Sequence, residues 1–329
     1  MGFSYSDFIE AMEALPDIPA GEGVAAGVSG GPDSMAMLWL LSRWAGERGI
    51  SVMAYTVDHG LRRESADEAR AVGAWVKDWP NVTHEVLVWE GEKPGSRILE
   101  EARSKRYALM AAAMKEEGAA YLFIAHHRDD QAETFLIRLA KGSGLDGLAG
   151  MRAAQKMESG ITLLRPLLDV PKEKLILLCK ENGVPYVDDP TNKNERYLRP
   201  RLRAAQGILE EEGLSAKRLG LTAKRLGRAS SALAQLANGL FAAALKERRG
   251  EGFVFDYGVL QAAHEELVLR VFLYAMDELR PGGDYGPRLE KAEKLTERIL
   301  HDPAFKGATL GGCIFAKDAK NATLVVGKE

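Results

Sequence analysis

The first residues in this chain whose types and spacing suit a chemical task are Ser29-Gly30-Gly31-Pro32-Asp33-Ser34. They follow the apolar run Val24–Val28 and precede a helical pattern, which makes a strand–turn–helix order. Two glycines let backbone N–H groups turn toward a ligand with no Cβ in the way. Ser29 and Ser34 add hydroxyl donors, and a helix N-terminus favours an anion such as phosphate. Asp33 would repel a phosphate standing alone; it makes sense if a divalent cation sits between the two. The plain alternative is an ordinary strand-to-helix turn, with proline at the first helical position and a serine cap. No Walker-type loop ending in Gly-Lys-Ser/Thr occurs here, and no G-x-G-x-x-G follows the strand, which counts against a dinucleotide site.

A second cluster is Ala125-His-His-Arg-Asp-Asp-Gln-Ala-Glu-Thr134. Asp33 and Asp130 follow the first and fourth apolar runs, which are neighbours in many folds of this kind, so Mg²⁺ held between them is the expectation. Asp129 and Asp130 could equally cap the helix they begin. His126 and His127 with the two aspartates could form a metal cluster, but adjacent side chains of an extended segment point in opposite directions, which disfavours zinc.

The third feature is charge. Between Lys193 and Arg228 ten basic residues face four acidic ones, a local excess of +6 in a chain whose formal net charge is −3. Lys217 and Lys224, like Arg218 and Arg225, stand seven apart and align on one helix face, a stripe that could track a phosphate backbone. A solvated helix face is the alternative; it is weakened because acidic partners are missing from 215–228.

These residues need elements to hold them. Val24–Val28, Val52–Val57, Val82–Val88 and Tyr121–Ala125 read as strands, each followed by a helical pattern: Asp33–Glu47, Glu64–Lys77, Ser96–Glu117 and Asp129–Ala140. Spacing of roughly 30 residues is that of βαβ units, so the first region is an α/β, Rossmann-like parallel sheet covered on both faces. Ligands of such sheets bind beyond the carboxyl ends of the strands, where the clusters above fall. A weaker strand at Ile161–Leu164 and a helix from Pro171 extend the pattern. Helical stretches at Ser215–Leu245 and Gly258–Leu279, a break at Pro281-Gly282-Gly283, a short helix and the strand-like Ala322–Val326 follow. The expected domains are 1–205, catalytic, and 206–329, smaller and mainly helical.

With 329 residues, 46% hydrophobic and 28% charged, the chain can bury a sizeable core. Cys179 and Cys313 are isolated, so neither a disulfide framework nor a cysteine-built metal site is expected. Met1–Leu15 lacks the order of a signal peptide and no apolar run could cross a bilayer, so no membrane partner and a cytoplasmic location are expected.

The loop at 29–34 resembles the PP-loop of the N-type ATP pyrophosphatases, which split ATP between its α- and β-phosphates. Further segments resemble the tRNA(Ile)-lysidine synthetase family: Tyr55-Thr-Val-Asp-His-Gly-Leu-Arg62, Glu101-Ala-Arg-Ser-Lys-Arg-Tyr107, the segment 125–134, Lys141-Gly-Ser-Gly144, Gly147–Met151, Arg165-Pro-Leu-Leu168 and Asp189-Pro-Thr-Asn192. The resemblance is strong over 24–203 and loose beyond, although Thr309-Leu-Gly-Gly312 also fits. It implies an adenine-nucleotide alpha-hydrolase-like fold and an ATP- and Mg²⁺-dependent ligase that joins lysine to C2 of the wobble cytidine of the CAU-anticodon isoleucine tRNA. It also implies that Ser29–Ser34, His59 and Arg62 hold ATP, with Asp33, Asp130 and Glu133 catalytic. Asp130 and Glu133, three apart on a helix, would bind the ammonium of L-lysine. Arg103 and Arg106, solvated helix charges if taken singly, become candidates for nucleotide or tRNA contact. Arg199, Arg201 and Arg203 form an arginine ladder for tRNA, joined by the stripe at Lys217, Arg218, Lys224 and Arg225. Tyr107, Tyr186 and Tyr197 are available for base stacking. A homodimer is open on family grounds only.

Asn194 and Arg199-Pro200 stand where the family commonly has an acid and an Arg-Asn pair, and the chain is expected to lack the extra C-terminal domain of longer members. A tRNA thiolase of the same superfamily would need cysteines to carry sulfur or a cluster. A glutamine-dependent relative would need a glutaminase portion that is not visible. A non-catalytic RNA-binding module would tolerate loss of Asp33, Asp130 and Glu133, all of which are present.

Overall fold

A computed structural model of the chain describes residues 2–19, 21–61, 65–91, 93, 98–187, 198–280 and 288–329. Two compact units emerge, Met1–Ile137 with Gly150–Ala223, and Arg138–Ala149 with Lys224–Glu329. The expected 205/206 boundary lies inside the first of them.

The first unit is built on a six-stranded sheet running, edge to edge, through Val82–Val88 (β3), Val52–Asp58 (β2), Val24–Gly27 (β1), Tyr121–Ile124 (β4), Thr162–Leu164 (β6) and Ala154–Lys156 (β5). All neighbours are parallel except β5, which returns antiparallel to β6. Val24 of β1 is paired with Val52 on one side and Tyr121 on the other, so the expected adjacency of the first and fourth strands is observed.

Helices cover both faces, which is why the central strands read as unbroken apolar runs. Tyr5–Glu13 (α1), Pro32–Gly46 (α2) and Lys172–Glu181 (α7) lie with Phe8, Met35, Leu38, Leu41 and Leu175 in one core. Ile98–Glu116 (α4) contributes Met110 and Met114 to the other, against Tyr55 and Leu122. Ser65–Val76 (α3) and Arg128–Ala140 (α5) complete the βαβ pattern, and Leu198–Ala204 (α8) and Gln206–Glu211 (α9) follow. Leu175 and Leu178 fix α7 in place; complete burial of a leucine contributes about 1.5–3 kcal/mol.

Lys224–Glu329 holds the helical region expected there, and an antiparallel sheet accompanies it. Ala216–Ala244 (α10) crosses the division between the units. The expected helix 258–279 is two, Tyr257–Ala262 (α11) and Glu265–Leu279 (α12), because His264 is extended (ψ 135°) and its ring accepts from the N–H of Glu266. The sheet runs Leu245–Arg248 (β7), Gly252–Asp256 (β8), Thr323–Lys328 (β11), Cys313–Asp318 (β10) and Gly307–Leu310 (β9), with Leu289–His301 (α13) against its core. Leu145–Leu148 (α6) belongs to this unit, and its Asp146 pairs with the buried guanidinium of Arg270 at 2.9 and 3.0 Å. No helix among the described residues is long and apolar enough to cross a membrane.

Candidate active site

The loop after β1 shows why a glycine pair stands there. Gly30 has φ 82°, a conformation that L side chains rarely adopt, and a Cβ there would come within 3.1 Å of Val72. Its carbonyl accepts from the N–H of Val187 at 2.8 Å. Gly31 is the N-cap of α2 and Pro32 its first residue, with no side chain capping the helix. At α1, by contrast, Ser4 and Asp7 close the N-terminus with a reciprocal capping box. The first-turn N–H groups of α2 have no partner within the helix and point beyond the carboxyl ends of the strands. Ser34 braces the loop: its hydroxyl donates to the Gly31 carbonyl (3.0 Å) and accepts from the Ser29 N–H (3.2 Å).

A cavity of about 720 Å³ opens over this loop. Ser29, Gly31, Pro32, Asp33 and Ser34 line it, as do His59, Arg103, Arg106, Asp130, Arg199 and Arg203. Gly30 shapes the loop without facing the cavity, and Arg62 lies outside the described residues, as do Asn194, Tyr197 and the segment Asp189–Asn192. Tyr107 and Tyr186 are on the wall; Arg201 is not. Glu133 is buried beside the cavity and lines a separate small cleft with Leu136, Leu202 and Arg203. Lys217, Arg218, Lys224 and Arg225 line neither and are exposed along α10, while Ala216, Leu219 and Ala223 on its other face are buried.

Asp130 does two things. As the third residue of α5 it accepts from the N–H of His127 through Oδ2 (3.1 Å), so the capping role open in the sequence is real, while Oδ1 lies 3.7 Å from Arg203. Asp129 accepts instead from the N–H of Lys172, tying the start of α7 to the start of α5.

From the sequence His127 is open only as a disfavoured metal ligand, Arg165 stands only within a matched segment, and Lys172 carries no signal. His127 is 3% exposed; its Nε2 stands 3.5 Å from Asp33 Oδ2 and 3.4 Å from Asp130 Oδ2. Burial opposes its charge, but hydrogen bonds to Asp129 and Asp33 and the field of Asp130 outweigh it and lift its pKa to about 10. Nδ1 lies 3.3 Å from both the N–H and the Oδ2 of Asp129; as an imidazolium it serves the carboxylate, not the amide. His126 turns the other way. Its Nδ1 accepts from Arg165 Nε at 3.2 Å, and burial together with Arg103, Arg165, Arg106 and Arg199 drives its pKa down to about 2.

Glu133 and Asp130 do share one face of α5, as expected, and they converge on one cation, the Arg203 guanidinium, which bonds Glu133 through Nε and Nη2. Burial raises the Glu133 carboxyl above its ordinary range although Arg203 pulls against it. Burial works against Arg203 too, yet Glu133, Asp130 and Asp33 hold it more firmly protonated. On the other flank, burial and Arg106 keep His59 below the usual imidazole pKa; its Nδ1 is buried without a hydrogen-bond partner.

For a divalent cation the fit is favourable. Asp33 Oδ1 is buried with no partner, and Asp33 and Asp130 present Oδ2 atoms to the same ring nitrogen of His127. Among the described residues no group of three or more His, Cys, Asp or Glu could hold a metal alone. Two carboxylates completed by substrate phosphates are how Mg²⁺ is commonly bound.

Residues 6–209 match the family model of the PP-loop domain. The chain is 43% identical over 296 residues to the tRNA(Ile)-lysidine synthase of Bradyrhizobium sp., covering 87% of this chain and 81% of that one. It is 34% identical over 318 residues to the tRNA(Ile)-lysidine synthase of Hyphomonas neptunium, covering 95% and 84%. Among solved structures the U34-tRNA thiolase NcsA of Methanococcus maripaludis, described with its iron–sulfur cluster, shares the fold: TM-score 0.58, 19% identity, 68% of this chain and 78% of that one. Both cysteines here are fully buried, and burial pushes the Cys179 thiol up to about 12; the likeness to that protein is one of fold. From the loop geometry, the family match and the extent of the relatives, this chain belongs to the tRNA(Ile)-lysidine synthase family of PP-loop proteins.

Proposed function

We propose that the chain ligates L-lysine to C2 of the wobble cytidine of the CAU-anticodon isoleucine tRNA, using ATP. The observation that carries this reading is the cavity in which the uncapped start of α2, the paired carboxylates Asp33 and Asp130, and four arginines converge. In the first step the cytidine O2 attacks the α-phosphorus; an O–P bond forms, the bond to the bridging oxygen breaks, and pyrophosphate leaves with the electron pair. In the second the lysine amine forms a bond to C2, the C2–O bond breaks, AMP departs with the oxygen, and the amine gives up a proton.

The loop 29–34 receives the polyphosphate through backbone N–H groups and the α2 N-terminus. His59, with Arg62, binds the rest of the nucleotide. Asp33 and Asp130 would hold Mg²⁺, which when bound neutralises charge on the phosphates. Asp130 and Glu133 supply negative charge for the ammonium of lysine, the place Arg203 fills in the free chain. Arg103, Arg106 and Arg199 face the RNA and nucleotide, and Arg201 with the exposed stripe of α10 tracks the tRNA backbone. A reaction on ATP and tRNA suits a cytoplasmic location. Mass spectrometry of the wobble nucleoside after incubation with ATP and lysine tests the proposal. Lysidine is the expected product; an unmodified cytidine, or a thiolated base when sulfur is supplied, refutes it.

A further inference from the structure

Helix α7 was expected only as one more βαβ crossover, yet one of its faces walls the cavity. Lys172, Ile176 and Lys180, spaced four apart, all line it. The described lining carries six lysine and arginine side chains and the charged His127 against three acidic ones, Asp33, Glu68 and Asp130. The two lysines of α7 supply half of that excess of +4, which falls to +2 without them, small for a site that must attract a triphosphate.

Lys172 is placed by two fasteners. Its own N–H donates to Asp129 Oδ2 at 3.1 Å, and Cys179 further along α7 donates from its thiol to the Pro32 carbonyl at 3.4 Å. The helix is thus pinned to the start of α5 and to the first residue of α2. Its Nζ stands 3.5 Å from Asp33 Oδ2, too far for a firm hydrogen bond, and the side chain is 36% exposed. Asp33 Oδ2 already meets His127. A loosely held ammonium at the mouth of an uncapped helix, on a flexible stem, is a point charge able to swing onto a phosphate.

We propose that Lys172 binds the β- and γ-phosphates of ATP and steadies the departing pyrophosphate, with Lys180 a weaker second cation on the same face. The nucleoside end is left to the opposite flank, where Val57, His59, Leu61 and Ala69 line the cavity. As the bond between the α-phosphorus and the bridging oxygen breaks, the electron pair stays on pyrophosphate. The Lys172 ammonium neutralises that charge without transferring a proton. The assignment rests on the nucleotide occupying this cavity, as proposed above.

Calorimetry on the full chain with Mg²⁺ separates the possibilities, with pyrophosphate and AMP as the two probes and the melting temperature recorded for each variant. Lys172→Ala is expected to weaken pyrophosphate binding on the order of ten- to hundredfold, the loss of one charge-assisted contact. AMP affinity should stay within about twofold, since AMP lacks the phosphates this residue meets. Lys172→Arg should restore most of the lost affinity, and Lys180→Ala should show a smaller loss than Lys172→Ala. Should the alanine variant fold poorly, Lys172→Gln keeps the stem and removes the charge. Unchanged pyrophosphate affinity, or equal loss for pyrophosphate and AMP, overturns the assignment; a fall in melting temperature alone would make Lys172 a structural counter-ion of Asp33. Lysidine formation is scored separately. A wild-type chain that binds pyrophosphate through Lys172 but modifies no tRNA sinks the ligase reading and leaves this one standing.

Discussion

His126 and His127 are adjacent in the chain and stand in opposite fields. His127 faces Asp33, Asp129 and Asp130 and is held charged; His126 faces Arg103, Arg106, Arg165 and Arg199 and is held neutral. The alternation of an extended segment thus sorts the cavity into an acidic wall and a basic one. The walls differ in how they are balanced. In the free chain the acidic wall carries the protein's own cations, His127, Lys172 and Arg203, where metal and ammonium are expected to arrive. The basic wall is rich in guanidinium groups, of which Arg103 and Arg106 lie against the Tyr107 ring. It is the side suited to an incoming anion or base.

The largest effect that could break this contrast comes from the acidic wall. Asp33→Ala should lower AMP formation by about a hundred- to a thousandfold or more, as loss of a group that organises transition-state charge does. Its tRNA affinity in a filter-binding assay should stay near that of the wild type. Equal losses in both would dissolve the division between the walls.

On the basic wall, replacing Arg103 and Arg106 by alanine should weaken tRNA or nucleotide binding by about tenfold or more, with a shallower dependence on salt. The KM for lysine should hold; a change in the lysine KM as large as that in tRNA binding would show that the walls act as one.

A smaller effect is expected at Glu133→Ala, which removes the main partner of Arg203. Because Arg203 is more than a third exposed, the full cost of breaking a buried pair is discounted to about 1–2 kcal/mol. Urea unfolding reads this loss and a lysine titration should show a raised KM. Unaltered values in both would make the pair incidental.

The smallest effect concerns pH. The folded His126 resists protonation, so below about pH 6.5 the unfolded chain takes up a proton that the folded chain refuses, and stability falls with pH. His126→Gln removes that loss. Between pH 7 and 5 the wild type should therefore lose more stability than the variant, by less than about 1.4 kcal/mol per pH unit. Parallel urea midpoints across that range would place His126 outside the basic field.

Much of the first unit is legible in the order of its amino acids. The five parallel strands, their helices to within a few residues, and the phosphate loop follow from periodicity and from glycine placement, which are local properties of the chain. Strands β7 to β10 are not legible in that way: Leu245 reads as the end of a helix and Lys246-Glu-Arg248 carries no strand pattern, and only pairing with β8 makes the segment a strand. His264 hides its break because a histidine N-cap carries no strong signal.

The sequence alone determined which groups the site holds: the glycine turn, the acids after β1 and β4, and the arginines of α4 and α8. Tertiary structure decided who faces whom. That Arg203 meets a carboxylate 70 residues away, and Lys172 meets Asp33 from far along the chain, follows from α8 lying beside α5 and α7 packing on α2. Charge pairing depends on distance in space, and spacing along a chain carries that distance only within a single element.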